Sequence, residues 1–237
     1  MKRILSVVIV VLLFASLLFI IFITNNRKQD AVCHQVIVVI RDSLERDFID
    51  KKDIADLLKN ADLYPANVPT ANINTEAIKQ QVLTNELIAS ANVFKTPSGN
   101  IKIEITQKMP ILRVFSGKES YYVDEYGSIM PANFRYATYL PIANGRIEKS
   151  FATTDLYEFA LFLHKHKFWN NQIEQIYVYP NGEVEIIPRV GDHRIVLGDF
   201  EDFKEKMNKL QLFYEQAIPK LGWDKYRVIN LSYRNQI

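Results

Sequence analysis

Ile101-Lys102-Ile103-Glu104-Ile105-Thr106-Gln107-Lys108-Met109-Pro110-Ile111-Leu112-Arg113-Val114 is the stretch on which the organisation of this chain turns. In its first half Ile101, Ile103 and Ile105 alternate with Lys102, Glu104 and Thr106. A period of two predicts a strand with one buried and one solvated face. In its second half Pro110 breaks the pattern. Proline lacks an N–H, is expected not to extend a ladder, and holds Met109 in extended conformations. The stretch therefore predicts a strand that closes one domain, a boundary between residues 109 and 110, and a second domain from 110 to 237.

Working back toward the N-terminus, Thr96-Pro97-Ser98-Gly99-Asn100 is a turn, and Ile88 to Lys95 reads as the strand that pairs across it. Asn74 or Thr75 caps a helix carrying Ile78, Val82 and Leu83. A two-proline loop, Pro65 to Ile73, separates it from an earlier helix with Asp50 as N-cap and Ile54, Leu57 and Leu58 on one face. The β-branched run Val36 to Ile40 is a further strand. The first domain, 34–109, is thus strand-helix-helix-strand-strand.

Working forward, Ile111 to Phe115, Tyr121 to Asp124 and Ile129-Met130 read as short strands around a turn at Glu125-Tyr126-Gly127. A helix is expected from about Thr154 to Lys167, with Leu156, Phe159, Ala160 and Leu163 inward. Pro180-Asn181-Gly182 joins strands Gln175 to Tyr179 and Glu183 to Pro188 in a hairpin. Arg194 to Leu197 is another strand. Phe200 to about Ala217 is an amphipathic helix with Phe203, Met207, Leu210 and Phe213 aligned. Tyr226 to Tyr233 reads as the last strand, with Val228, Asn230 and Ser232 on one side and the more apolar set Ile229, Leu231 and Tyr233 turned inward. The fold class is α+β.

Ahead of these domains lies Ile4 to Ile23, twenty residues without a charge. A helix of that length spans roughly 30 Å, the thickness of a bilayer's hydrocarbon core. Residues 4–23 are read as a single transmembrane helix and 24–33 as a linker. Lys2 and Arg3 precede the run, so 1–3 form a cytoplasmic tail and the bulk lies outside. A cleaved signal peptide would have a shorter apolar region and a small-x-small site, which Thr24-Asn25-Asn26-Arg27-Lys28 does not offer.

Composition narrows the function classes. Beyond residue 30 the chain carries 25 Lys and Arg against 26 Asp and Glu, with no basic block, so nucleic acid is not an expected partner. The single cysteine, Cys33, cannot form an internal disulfide. His164 and His166 are two apart on a helix and face different ways. His193 falls in what reads as a turn. Asp124 and Glu125 read as turn carboxylates rather than an acid–base pair. No phosphate-binding loop or nucleophile elbow is present. No catalytic residue, metal ligand or cofactor is assigned.

Taken in order, several segments resemble one family. Gly99 to Val114 is similar to a strand followed by a basic residue, proline, a small apolar residue and arginine at a domain junction. Tyr121-Tyr122-Val123-Asp124-Glu125-Tyr126-Gly127, Leu140-Pro141-Ile142-Ala143-Asn144-Gly145 and the closing Asn230-Leu231-Ser232-Tyr233 resemble further segments of FtsQ/DivIB, a bitopic cell-division family of bacteria, in a Bacteroidota-like form. Asn85-Glu86 stands where the family usually has Asn-Pro, and Ser232 where it usually has Arg.

That resemblance implies a polypeptide-transport-associated (POTRA) domain over 34–109 and a second mixed "beta" domain ending in an edge strand. It implies a non-enzymatic inner-membrane scaffold at the division septum, with its bulk in the periplasm. The implied partners are FtsB-like and FtsL-like bitopic proteins and an FtsW/FtsI-like septal synthase, with no cofactor. Partner binding would fall on Tyr226, Val228, Asn230, Leu231, Ser232, Tyr233 and Asn235. Lys108, Pro110 and Arg113 would fix the domain junction, with Arg113 paired to a carboxylate. The rival readings are an anchored periplasmic cell-wall enzyme and a POTRA-bearing secretion or assembly factor. About six short strands after Arg113 are too few for a membrane barrel.

Overall fold

The computed structural model describes residues 11–20, 32–41, 48–132 and 139–233. Residues 11–20 are helical (α1), with exposed side chains throughout. Residues 4–10 and 21–23 of the apolar run lie outside the described residues. Among the described residues no helix is long and apolar enough to cross a membrane. The chain divides into two compact units, 1–107 and 108–237.

In the first unit, β1 (Val36–Ile40), α2 (Lys51–Asn60), α3 (Thr75–Leu83), β2 (Ile88–Lys95) and β3 (Ile101–Gln107) follow one another. The sheet order is β1-β3-β2, with β1 parallel and β2 antiparallel to β3. Asp50 caps α2 through a reciprocal exchange with Asp53, and Asn74 Oδ1 accepts from Ala77 N–H at 3.0 Å to cap α3. The isoleucines of the alternating stretch, Ile101, Ile103 and Ile105, are buried with Ile54, Leu58, Ile78 and Val82 of the helices. Gln107 continues the inward row. Its Oε1 accepts from the buried N–H groups of Phe48 and Ile49, each at 3.0 Å, which supplies the partners those amides need once out of water.

The second unit contains β4 (Pro110–Ser116), β5 (Glu119–Asp124), β6 (Ile129–Pro131), β7 (Ile142–Gly145), α4 (Lys149–Ala152), α5 (Asp155–Lys165), α6 (Lys167–Gln172), β8 (Ile173–Val178), β9 (Val184–Pro188), β10 (Arg194–Gly198), α7 (Phe203–Gln216), α8 (Ile218–Leu221) and β11 (Val228–Asn230). Its eight strands lie in the order β11-β10-β9-β8-β7-β4-β5-β6. The pairs β4–β7, β7–β8 and β10–β11 are parallel. Register runs one buried row across six strands: Val114, Ala143, Ile176, Ile186, Ile195 and Ile229. Leu156, Phe159 and Leu163 of α5 and Met207 and Leu210 of α7 belong to the same core. Each such side chain contributes about 1.5–3 kcal/mol by leaving water.

Several sequence expectations change. The helix expected over 154–167 is α5, which stops at Lys165 because His166 is extended (φ −105°, ψ 103°), and α6 follows as a separate short helix. The helix expected from Phe200 begins at Phe203, after Asp202 in a left-handed conformation (φ 52°). Tyr214, not Phe213, completes its buried face. Strand β7 was not anticipated. Gly145 at its end has φ +121°, and a Cβ there would sit 2.1 Å from the Val178 carbonyl oxygen, so close strand packing requires glycine. Pro110 does enter a ladder, opposite Asp124. It is the first residue of β4, where a missing donor is tolerated, and a bulge follows before Leu112.

Candidate interaction edges

The C-terminal segment is shorter as a strand than its composition suggests: only Val228–Asn230 pairs, parallel to β10. Two backbone bonds orient it. Arg194 N–H donates to Arg227 carbonyl at 3.0 Å, and Leu231 N–H donates to Val196 carbonyl at 2.8 Å. A strand residue points its N–H and C=O to the same side and its neighbour's to the other. Residues 227, 229 and 231 therefore face β10, and the backbone groups of Val228 and Asn230 face away from the sheet. Ile229 and Leu231 are buried, whereas Val228 is 42% exposed and Tyr233 64%. Tyr233, expected inward, turns out to solvent past the end of the ladder. Tyr226 precedes the strand, its ring 5.7 Å from that of Phe213. Asn230 Oδ1 accepts from Ser232 N–H at 2.9 Å, which turns the chain there. Ser232 packs over Gly198, whose missing Cβ would lie 3.0 Å from the Ser232 hydroxyl. Asn235 lies outside the described residues.

An open groove of about 690 Å³ borders the start of β11, with Ile187, Arg189, Arg194, Arg227 and Val228 among its lining. Arg194 is 3.4 Å from Glu185. Behind this end sits a cluster that sequence reasoning missed. His193, expected in a turn, is buried, and its Nε2 lies 2.5 Å from the Tyr214 hydroxyl. Its ring stacks on Trp223 at 6.0 Å. Burial pushes the His193 imidazole below its ordinary range and the Tyr214 hydroxyl above its own. Only the shared period of Phe203, Met207, Leu210 and Tyr214 along α7 hinted that Tyr214 points inward.

At the opposite end, β6 closes the sheet with Pro131, a residue without a donor. The turn before it is built on Asp124, whose Oδ1 accepts from Tyr126 N–H at 2.9 Å and Ser128 N–H at 2.8 Å. That is the turn carboxylate read from the sequence. Gly127 (φ +80°) lies against the Tyr157 ring, and the Tyr157 hydroxyl donates to Glu125 carbonyl at 3.0 Å.

The junction residues divide their roles. Lys108 Nζ lies 3.8 Å from Asp124 Oδ2. Among the described residues no carboxylate pairs with Arg113. Its guanidinium instead lies over the rings of Phe115, at 4.7 Å, and Tyr122, at 5.5 Å, a cation–π arrangement that register imposes by setting Arg113 opposite Tyr122. The carboxylate expected beside Arg113 serves Lys108.

Among the described residues no three His, Cys, Asp or Glu side chains converge on a metal-sized site. Cys33 is buried, its thiol 3.4 Å from the Gln35 carbonyl oxygen. What the geometry offers is a pair of dissimilar sheet edges, one ending in proline and one with outward backbone groups.

Residues 109–237 match the family model described as FtsQ/DivIB, C-terminal related, and residues 31–106 match that of a POTRA-like domain. No curated protein matches the chain.

Proposed function

The chain belongs to the FtsQ/DivIB family, and from that premise we propose that it is a non-enzymatic, membrane-anchored scaffold of the bacterial division complex. Membership makes it a cell-division protein that works through contacts with other division proteins. In the proposed reading residues 4–23 anchor it in the inner membrane. Residues beyond 24 face the periplasm at the septum. FtsB-like and FtsL-like partners, and through them an FtsW/FtsI-like synthase, bind its extracytoplasmic domains. The reading of the anchor is supported by the uncharged run and the basic residues before it.

The observation that carries the proposal is the edge of β11, with which no further strand among the described residues pairs. A partner strand laid beside it meets the N–H and C=O groups of Val228 and Asn230. Its own side chains alternate between the face that carries Val228 and Asn230 and the face that carries the buried Ile229 and Leu231. Tyr226, Ser232 and Tyr233 flank that edge, and Leu231 anchors it from beneath; Asn235, the remaining proposed contact, lies outside the described residues. The test is Asn230→Pro in the full chain. Proline there removes an outward donor and leaves the bond of Leu231 to Val196 in place. The expected result is loss of co-purifying FtsB-like partner, with both domains folded by hydrogen exchange. Undiminished capture by a folded Asn230→Pro protein overturns docking by strand addition at β11.

A further inference from the structure

The first unit has its own unguarded edge. β1 is Val36-Ile37-Val38-Val39-Ile40, five β-branched residues in a row, and it lies at the end of the sheet. Ile101 N–H donates to Gln35 carbonyl at 3.2 Å, and Arg41 N–H donates to Ile105 carbonyl at 3.1 Å. By alternation residues 35, 37, 39 and 41 face β3, and the backbone groups of Val36, Val38 and Ile40 point away from it. Among the described residues no strand pairs with that side. The other edge of the same sheet is protected: β2 carries a register shift between Ile88 and Ser90 and ends in Lys95. β1 has no proline, no lysine and no bulge. An apolar edge of this kind is a template for another strand.

The sequence of β1 says which strand fits. We propose that β1 pairs antiparallel with β1 of a second copy of this chain, about a two-fold axis through Val38. In that register Val38 faces its counterpart and Val36 faces Ile40, and these are the residues with outward backbone groups, so every one of them finds a partner. On the open face Ile37 falls opposite Val39, giving β-branched pairs without a cavity or a buried charge. Just beyond, Arg41 falls opposite Gln35, so no like charges meet. Arg41 is already held by Glu104, whose carboxyl lies below its usual range through hydrogen bonds from Lys102 and Arg41. The contact is isologous and closes on itself, so it stops at two copies instead of propagating. The two three-stranded sheets become one of six strands. The inference rests on the anchored-scaffold reading only for its setting: a two-fold axis along the membrane normal leaves both anchors in one bilayer.

Cysteine scanning of the full chain in vesicles tests this. In a Cys33→Ser background Val38→Cys is expected to give a covalent dimer under mild oxidation, because directly opposed residues in a hydrogen-bonded pair have Cα atoms about 5.5 Å apart, within disulfide reach. Ile37→Cys and Val39→Cys are expected to cross-link at least tenfold less. Val36→Pro, at the first position of the strand, removes one outward donor per copy and is expected to weaken dimerisation at least tenfold in a folded protein. Equal cross-linking at 37, 38 and 39, or a monomer at all protein densities with the fold intact, overturns the inference. So does cross-linking of Val38→Cys only to a different co-purifying protein. Partner capture through β11 is measured on the same variants. Its survival when β1 pairing fails removes this inference alone, and its loss in the unmodified chain removes the scaffold reading instead.

Discussion

The two ends of the eight-stranded sheet solve the problem of an unpaired edge in opposite ways. At the β6 end the ladder is antiparallel, local in sequence, and stopped by Pro131 after a turn that Asp124 ties down. At the β11 end the ladder is parallel and non-local. The chain leaves β10, passes through α7 and α8, and returns to lie beside it. Among the described residues nothing at that end removes the outward donors of Val228 and Asn230. A guarded edge beside an unguarded one in the same sheet argues that the open edge is retained for use, since a single proline is enough to close it.

The largest expected effect separates the two sides of β11 itself. Leu231→Pro removes the donor to Val196 and a side chain that is 2% exposed. It should destabilise the second domain by about 3 kcal/mol or more in chemical denaturation. Asn230→Pro should change stability by no more than about 1 kcal/mol. Equal destabilisation by the two would break the assignment of inward and outward groups. Next comes the β6 end. Asp124→Ala deletes two turn hydrogen bonds and the carboxylate facing Lys108, and should cost about 2 kcal/mol. Faster amide exchange should be confined to β5, β6 and their turn. Exchange that spreads equally to β11 would mean that the two ends are not separately held.

A smaller effect is expected from pH. The unfolded His193 imidazole titrates near 6.5, and burial holds the folded one lower. The unfolded state therefore binds more protons as pH falls below about 6.5, and stability is lost from that point downward. His193 adjoins Arg194, whose N–H bonds Arg227, so the loss should register at β11 before β6 in hydrogen exchange. Tyr214→Phe, which removes the hydroxyl beside His193, should cost about 1 kcal/mol at neutral pH. A His193→Gln protein with an unchanged pH profile between 7.5 and 5.5 would acquit the imidazole. Smallest of all is Pro131→Val, expected within about 0.5 kcal/mol of the parent in stability. Its informative readout is new end-to-end association, measured by sedimentation. Continued absence of association would show that the proline is not what guards that edge.

The sequence was most legible where structure is local. Alternation at Ile101, Ile103 and Ile105, the turn at Thr96 to Asn100, the cap at Asp50 and the Asp124 turn all follow from neighbours within a few residues, and all are present. Legibility failed where partners are distant. Residues Ile142–Gly145 show no alternation and are a strand because β4 and β8 flank them. His193 looks like a turn residue until α7 delivers Tyr214 to it. The carboxylate near the junction was expected for Arg113 and serves Lys108, because the bulge after Pro110 and the pairing with Tyr122 send the guanidinium to the aromatic face. At the candidate edge, the inward and outward sets were readable at Ile229 and Leu231 but not at Tyr233, where the ladder has already ended.

The brevity of β11 has a kinetic consequence. Asn230 Oδ1 occupies the amide of Ser232, so within the β11 ladder a bound strand meets the outward groups of Val228 and Asn230. Two residues exchange at most about four backbone hydrogen bonds, worth a net 0.5–1.5 kcal/mol each. Bringing two chains together costs roughly 4–15 kcal/mol in lost freedom of motion. The ladder by itself therefore gives no lasting complex. A partner that stays must be confined nearby or grip elsewhere as well, and one that loses its second hold departs quickly. Residence time at this edge is thus set by how crowded the surroundings are with the partner, and β11 acts as a gauge of local assembly more than as a latch.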